Sequence, residues 1–242
     1  MRILTYNVHS CAGTDGRRSI KRIAEVIAQV EPDVVALQEL DAHRVRSDRH
    51  RQAEGIAGAL GMKYHFHPAF QVQDEQYGDA LLTPHPMELI KADALPEAWS
   101  PIWNEKRGAI LARISCAGRD WYILNTHLGL GSKERMLQAQ TLLGTDWRGL
   151  APRNQPFVLC GDFNSMTFRR THSYVCTKLR DAQLDQSPGR PEYTFPGRRP
   201  MICLDYVFVN EHIRVKGTQV LKGRLARVAS DHLPLVVDLE AV

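Results

Sequence analysis

"VLCGDFNSM", residues 158–166, runs from an apolar block into Gly161, Asp162, Phe163 and Asn164. The apolar block reads as a buried strand, and it stops in a carboxylate and a carboxamide two residues apart. Gly, Asp and Asn are the residues that turns favour, so one explanation is an Asx turn. The other is that a rigid strand delivers two polar side chains to one place. Residues i and i+2 of a strand face the same way, so Asp162 and Asn164 point together if the chain stays extended through Phe163.

Similar apolar runs recur on both sides of this stretch: "RILTYNV" (2–8), "DVVALQE" (33–39), "DALLT" (79–83), "GAILARI" (108–114), "WYILNTH" (121–127), "LDYVFV" (204–209) and "PLVVDL" (234–239). Several are continuous blocks of Val, Ile and Leu rather than alternations, which predicts strands covered on both faces. Helical spacing lies between some of them. Ile20, Ile23, Ala24, Ile27 and Val30 form one apolar face with Pro32 just past its end, and Ala53, Ile56, Ala57 and Leu60 form another that Gly61 closes. Ser132 is placed to cap a helix through Met136, Leu137 and Leu143, and 167–180 has room for a fourth, shorter one. Helices between some strands and direct steps between others describe an α/β fold of mixed sheets with helices outside. The Pro- and Gly-rich pieces at 83–101 and 187–200 are too short for domain linkers, so a single domain over 1–242 is expected.

The 242 residues are 43% hydrophobic and 24% charged, an ordinary globular balance. Five cysteines without close pairs argue against a zinc ribbon or a disulfide framework and point to a reducing, cytoplasmic setting. "ILTYNV" begins two residues after Met1 with no signal-peptide pattern before it. No apolar run approaches the ~20 residues that span a bilayer. A net charge of +4 permits an anionic substrate but is weak support for nucleic acid. The densest basic stretch, "HRVRSDRHR" at 43–51, reads as a solvated loop or helix start.

Polar residues gather at the strand ends. Asn7 ends the first run, Glu39 the second, His127 a later one, and Asp162 and Asn164 the opening stretch; Asp205 sits inside "CLDYVFV", and "SDH" at 230–232 precedes the last strand. Each has an ordinary structural explanation taken alone. Glu39 and Asp205 are the hardest to dismiss, because a carboxylate among apolar neighbours needs a cation, a metal or a hydrogen-bonding partner. Active sites form where loops leave rigid strand ends, so the six segments read as one constellation.

The same segments resemble the endonuclease/exonuclease/phosphatase superfamily of DNase I-like metal-dependent phosphohydrolases. The likeness runs through "TYNVH" (5–9), "LQE" (37–39), "NTHLG" (125–129), "GDFNS" (161–165), "LDYVFV" (204–209) and "SDHLPL" (230–235). Further, "EKRGAIL" (105–111) and "TFPGRRP" (194–200) resemble a small bacterial branch of metal-dependent hydrolases. The resemblance implies a four-layer α-β-β-α sandwich, two facing mixed sheets flanked by helices. It implies that Glu39 is the principal ligand of a divalent metal, with Asn7 beside it and Asp231 adding metal or nucleophile contacts. Asp162 matches the carboxylate that orients or deprotonates water, Asn164 the amide that holds phosphoryl oxygens, and His127 a second histidine. His232 would face the phosphate, held by Asp205. "YGDALLT" (77–83) departs from the pattern, with Asp79 where Asn is usual, and His9 stands where some relatives carry aspartate; neither enters the core set.

Oxygen ligands without clustered cysteines favour Mg²⁺, with Mn²⁺ as a substitute. The expected activity is a Mg²⁺-dependent phosphoesterase cutting a phosphodiester by attack of water activated by Asp162. Arg107 is a candidate phosphate contact, with Arg198 and Arg199 weaker ones. Nucleic acid as substrate is permitted but not favoured by charge, and a peripheral lipid diester remains open. Tyr77, Trp99, Trp103, Tyr193 and Phe195 are pocket-lining or core aromatics. A non-enzymatic scaffold that binds phosphorylated partners is the alternative from another class. No protein partner is predictable.

Overall fold

A computed structural model describes residues 1–98 and 105–242; Trp99 and Trp103 lie outside the described residues. Two six-stranded mixed sheets face each other. The first contains β1 (Arg2–Asn7), β2 (Val34–Ala42), β3 (Lys63–Val72), β4 (Glu75–Thr83), β11 (Ile213–Val220) and β12 (Leu235–Ala241), in the order β11-β12-β1-β2-β4-β3. The second contains β5 (Met87–Ala94), β6 (Gly108–Cys116), β7 (Arg119–His127), β8 (Phe157–Asp162), β9 (Arg180–Asp181) and β10 (Asp205–Val209), in the order β5-β6-β7-β8-β10-β9. In each sheet one central pair is parallel, β1 with β2 and β7 with β8, and its neighbours are antiparallel.

The continuous apolar strands have two buried faces, as their sequences predict. In the second sheet, Ile110, Ala112, Val158, Cys160 and Val207 join the core shared with the first sheet. Their chain neighbours Ala109, Leu111, Phe157, Leu159, Tyr206 and Phe208 turn outward onto a second core. Helices complete the outer layers. α1 (Ile20–Ala28), α2 (Gln52–Leu60) and α6 (Arg224–Ala229) accompany the first sheet, and α3 (Ser132–Leu142), α4 (Arg170–Cys176) and α5 (Ala182–Gln186) the second. Ser19 caps α1 by accepting from the Arg22 N–H at 3.1 Å, a contact worth about 1 kcal/mol. Gly61 closes α2 at φ +65°, a left-handed position that glycine adopts without strain. Ser132 does not cap α3: Gly131 is the cap position and Ser132 is the first helical residue.

β2 is bulged. Leu37 pairs with Ala80 and Leu40 with Gly78, so Gln38 and Glu39 together oppose Asp79, and Glu39 takes φ +62°. The facing sheet fills the break. Asn125 of β7 donates from Nδ2 to the Leu37 and Ala80 carbonyls, each at 3.0 Å, and its Oδ1 accepts from Gln38 Nε2 at 2.8 Å.

β8 does not stay extended through Phe163. It ends at Asp162, and Asn164 is left-handed at φ +47° with its N–H donating to Asp162 Oδ1 at 2.8 Å. An Asx turn, rather than an extended strand, therefore brings the two side chains together. Gly161, at φ +136°, enables it: a Cβ there would stand 1.8 Å from the Thr126 carbonyl oxygen. Gly161→Ala is expected to lower stability by at least ~2 kcal/mol, through overpacking against backbone that cannot move aside. Thermal or urea melting checks this, and an unchanged midpoint would contradict the close approach.

Candidate active site

Two parallel pairs of strands, one in each sheet, meet at one cleft, and each strand contributes a side chain: Asn7 from the end of β1, Glu39 from the bulge of β2, His127 from the end of β7 and Asp162 from the end of β8. Asn7 Nδ2 donates to Glu39 Oε1 and to Asp162 Oδ2, both at 2.9 Å. Its Oδ1 accepts the His9 N–H at 3.0 Å and keeps a lone pair for a cation. The bulge in β2 aims Glu39, since its left-handed backbone, which costs roughly 1–2 kcal/mol, turns the carboxylate out of the ladder.

Asp162 is the junction. Its Oδ2 lies 3.5 Å from His127 Nε2 and 3.6 Å from His232 Nε2. Asp205 stands behind His232 and accepts from its Nδ1 at 2.8 Å, while the Phe195 ring packs 4.8 Å from the imidazole. The Asn164 amide nitrogen reaches the Leu128 carbonyl at 2.9 Å and sits 3.0 Å from His127 Nε2. Arg107 is buried rather than facing the cleft. Its Nη1 donates to His127 Nδ1 at 3.0 Å, and Nη2 pairs with Glu105 at 3.0 Å. Asp231 lies towards the rim, its Oδ1 3.6 Å from His9 Nδ1 and 3.3 Å from the Ser230 hydroxyl. Ser230 also donates to the Asn7 carbonyl at 2.8 Å and accepts the His232 N–H at 3.2 Å. All nine residues singled out in the sequence therefore converge through one chain of contacts.

The two histidines are driven to opposite charge states. For His127, burial, followed by the nearby Arg107 and His232 charges, holds the imidazole well below its usual range. Because a guanidinium only donates, Nδ1 accepts from Arg107, and Nε2 faces Asp162, Glu39 and the Asn164 amide nitrogen. Burial also acts against protonation of His232, but Asp205 and Asp162 outweigh it and raise its pKa to about 10. Burial lifts Asp162 to about 6, against the opposing pull of His232.

The oxygen donors suit a hard divalent cation. Among the described residues no lysine or arginine lies within 4 Å of the Glu39, Asp162, Asp205 or Asp231 carboxylates, so their charge is left to the histidines and to whatever binds in the cleft. Asp205 Oδ1 is buried with no hydrogen-bond partner, and a charged His232 engaged by Asp205 has no lone pair for a cation, so the donors free to hold one are Glu39, the Asn7 Oδ1 and Asp231. No thiol belongs to this group.

Two participants lie in the quoted motifs but outside the predicted core set. Ser230 ties Asn7, Asp231 and His232 together, and only its place beside "DH" hints at this. Asp79 faces the β2 bulge, where burial, ahead of the opposing attraction of Arg107, raises its carboxyl to about 8. It is mainly a neutral acid near neutrality, so it adds no negative charge beside a bound phosphate. The basic stretch at 43–51 spends its charge locally: Arg46 pairs with Asp41 at 2.8 Å, Arg49 with Asp74 at 3.2 Å and Arg51 with Glu54 at 2.9 Å. Tyr77 is buried beside Arg44 and Arg46, Tyr193 is exposed, and Arg198 holds the Thr14 carbonyl.

Residues 4–232 match the Endonuclease/Exonuclease/phosphatase family. The Escherichia coli K12 protein YbhP is 27% identical over 248 residues, spanning 98% of this chain and 95% of its own. A Bacteroides thetaiotaomicron mannosyl-6-phosphatase shares the fold at TM-score 0.79, with 20% identity and 99% of each chain covered. The human Nocturnin catalytic domain with bound sulfate does so at 0.76, with 22% identity over 100% of this chain and 94% of its own.

The charge partition has a pH signature in the metal-free protein. The His232 pKa is raised on folding, so its contribution to stability is present in full below about 6.5 and is lost as pH rises through about 10. NMR titration of the rings is expected to show His232 as imidazolium and His127 as neutral at pH 7.5. Asp205→Asn should move the His232 midpoint down by at least one unit; an unmoved midpoint would contradict the pairing.

Proposed function

We propose, from the premise that this chain belongs to the endonuclease/exonuclease/phosphatase family, that it is a Mg²⁺-dependent phosphoesterase that hydrolyses a phosphodiester. Family members are hydrolases acting on phosphoesters and commonly use divalent metals. The observation that carries the proposal is Asp162, whose Oδ2 is held by Asn7 and flanked by two imidazole Nε2 atoms at 3.5 and 3.6 Å.

Asp162 orients a water molecule and takes its proton. A carboxylate at about 6 is ionised at neutral pH yet more basic than an exposed one. The His232 imidazolium, fixed by Asp205, stabilises the charge that develops and supplies a proton to the leaving oxygen. His127 donates Nε2–H to a phosphoryl oxygen, its tautomer set by Arg107, and the Asn164 amide positions the same group. Glu39, with Asn7 and Asp231 beside it, would hold the Mg²⁺, which supplies Lewis-acid polarisation of a phosphoryl oxygen, and Mn²⁺ would substitute. Arg107 therefore acts through His127 rather than by direct phosphate contact.

A diester, with a single negative charge, suits a cleft in which His232 is the cationic side chain against Asp162. The local neutralisation of 43–51 supports a small or lipid-derived diester over nucleic acid, whose binding needs many free cations. A cytoplasmic location is supported by five free cysteines, four of them buried. No helix among the described residues is long and apolar enough to cross a membrane.

The test is hydrolysis of bis-p-nitrophenyl phosphate and of a panel of lipid, nucleic-acid and small phosphoesters with Mg²⁺ or Mn²⁺. Asp162→Asn and His232→Ala should each lower the rate by roughly 10²–10⁴, and EDTA should abolish it. Full activity in chelator, or wild-type rates from either folded variant, would overturn the proposal. Absence of Mg²⁺ binding by calorimetry would favour the phosphate-binding scaffold, and turnover of monoesters alone would make the protein a phosphatase.

A further inference from the structure

At the opposite ends of the same sheets lies a second group of donor atoms. Asp33 immediately precedes β2 in the first sheet, Cys116 ends β6 in the second, and His85 sits in the connection from β4 to β5 that crosses between them. His85 Nε2 is 2.9 Å from Asp33 Oδ1 and 3.4 Å from Cys116 Sγ, and all three donor atoms lie within 4.8 Å of one another.

The arrangement is not a thiol–imidazole–carboxylate relay. In a relay the two ring nitrogens face different partners, whereas here both contacts fall on Nε2. With both contacts on the same ring nitrogen, the carboxylate, the imidazole and the thiol face one another across one shared space. Convergence of a thiol, an imidazole and a carboxylate is the ligand chemistry of zinc. Tetrahedral bonds of 2.0–2.3 Å separate ligand atoms by about 3.3–3.8 Å. The trio approaches this spacing, and small side-chain movements would complete it.

The surroundings hold the donors in place. The Arg2 N–H donates to Asp33 Oδ2 at 2.7 Å and so fixes the carboxylate with Oδ1 turned to His85. The Thr83 hydroxyl donates to the Asp33 carbonyl at 2.7 Å and accepts the His85 N–H at 3.2 Å, linking two of the ligand-bearing segments. The Ser115 N–H reaches the Pro86 carbonyl at 3.0 Å, which links the third. Cys116 is buried, while the His85 and Asp33 side chains are 29% and 33% exposed, leaving one open side for an ion and its water.

We propose that Asp33, His85 and Cys116 form a Zn²⁺ site, completed by water, that fastens the two sheets together at the end remote from the Asp162 cleft. Binding releases the Cys116 thiol proton to solvent, and Thr83 is the positioning residue.

Cobalt(II) titration under reducing conditions, with excess Mg²⁺ present to occupy the Glu39 cleft, tests this. The wild-type protein should take up one equivalent with a thiolate-to-cobalt charge-transfer band in the near ultraviolet, and Zn²⁺ should displace it. Cys116→Ser should lose the band, while Cys176→Ser, at the exposed thiol, and Asp162→Asn should keep it. His85→Gln should weaken binding at least about tenfold, and Thr83→Val by about 10–100-fold. Zn²⁺ should raise the melting temperature of the wild type but not of Cys116→Ser. A wild-type protein without the band, or a band that survives Cys116→Ser, overturns the site. Should Cys116→Ser fail to fold, His85→Gln decides: unchanged cobalt affinity overturns the site and weakened affinity supports it.

Discussion

The ladder between β2 and β4 is interrupted at Gln38 and Glu39, and the opposite sheet supplies the missing hydrogen bonds through Asn125. Unpaired carbonyls at Leu37 and Ala80 would each cost roughly 1–3 kcal/mol in a dry core. Asn125 satisfies both, and Gln38 satisfies Asn125 in return. The interruption also sets the angle at which Glu39 leaves its strand. One local irregularity thus joins the two sheets and places the carboxylate that most needs a cation.

Around that joint the polar groups are sorted by environment. Asp162, Asp205 and His232 are all buried, yet Asp205 serves His232, and Asp162 is left between two rings of different protonation. Arg107 makes the difference on one side by donating to His127, and Asp205 on the other by accepting from His232. Two imidazoles of the same intrinsic basicity are thereby given distinct roles, one a neutral donor and the other a cation.

The central strands were readable because burial on both faces writes itself as unbroken Val, Ile and Leu, as in "VVAL" and "FVLC". β3, β5, β9 and β11 were not, and these are the four edge strands. β3 and β5 have no fully buried residue and β3 contains Pro68, so their composition reflects water and chain reversal more than pairing. The site residues were visible for a related reason: an acid or amide that ends an apolar run stands out against it. What one sequence position cannot express is the company a side chain keeps. The burial of Arg107 behind His127 and the neutral state of Asp79 both depend on contacts between distant segments. The basic stretch at 43–51 likewise looks open until Asp41, Asp74 and Glu54 are seen beside it.

The cleft borrows two side chains from each parallel pair, and no single sheet carries the whole set. Its dimensions are therefore a gauge of how the sheets are stacked. A sub-ångström slip of one layer over the other, of the kind a changed volume at Ile110 or Val158 would cause, alters every spacing across the gap at once while leaving each layer intact. Chemistry that depends on placement to within an ångström would register such a slip before cooperative melting did, which makes turnover the finer instrument for reading the interior of this molecule.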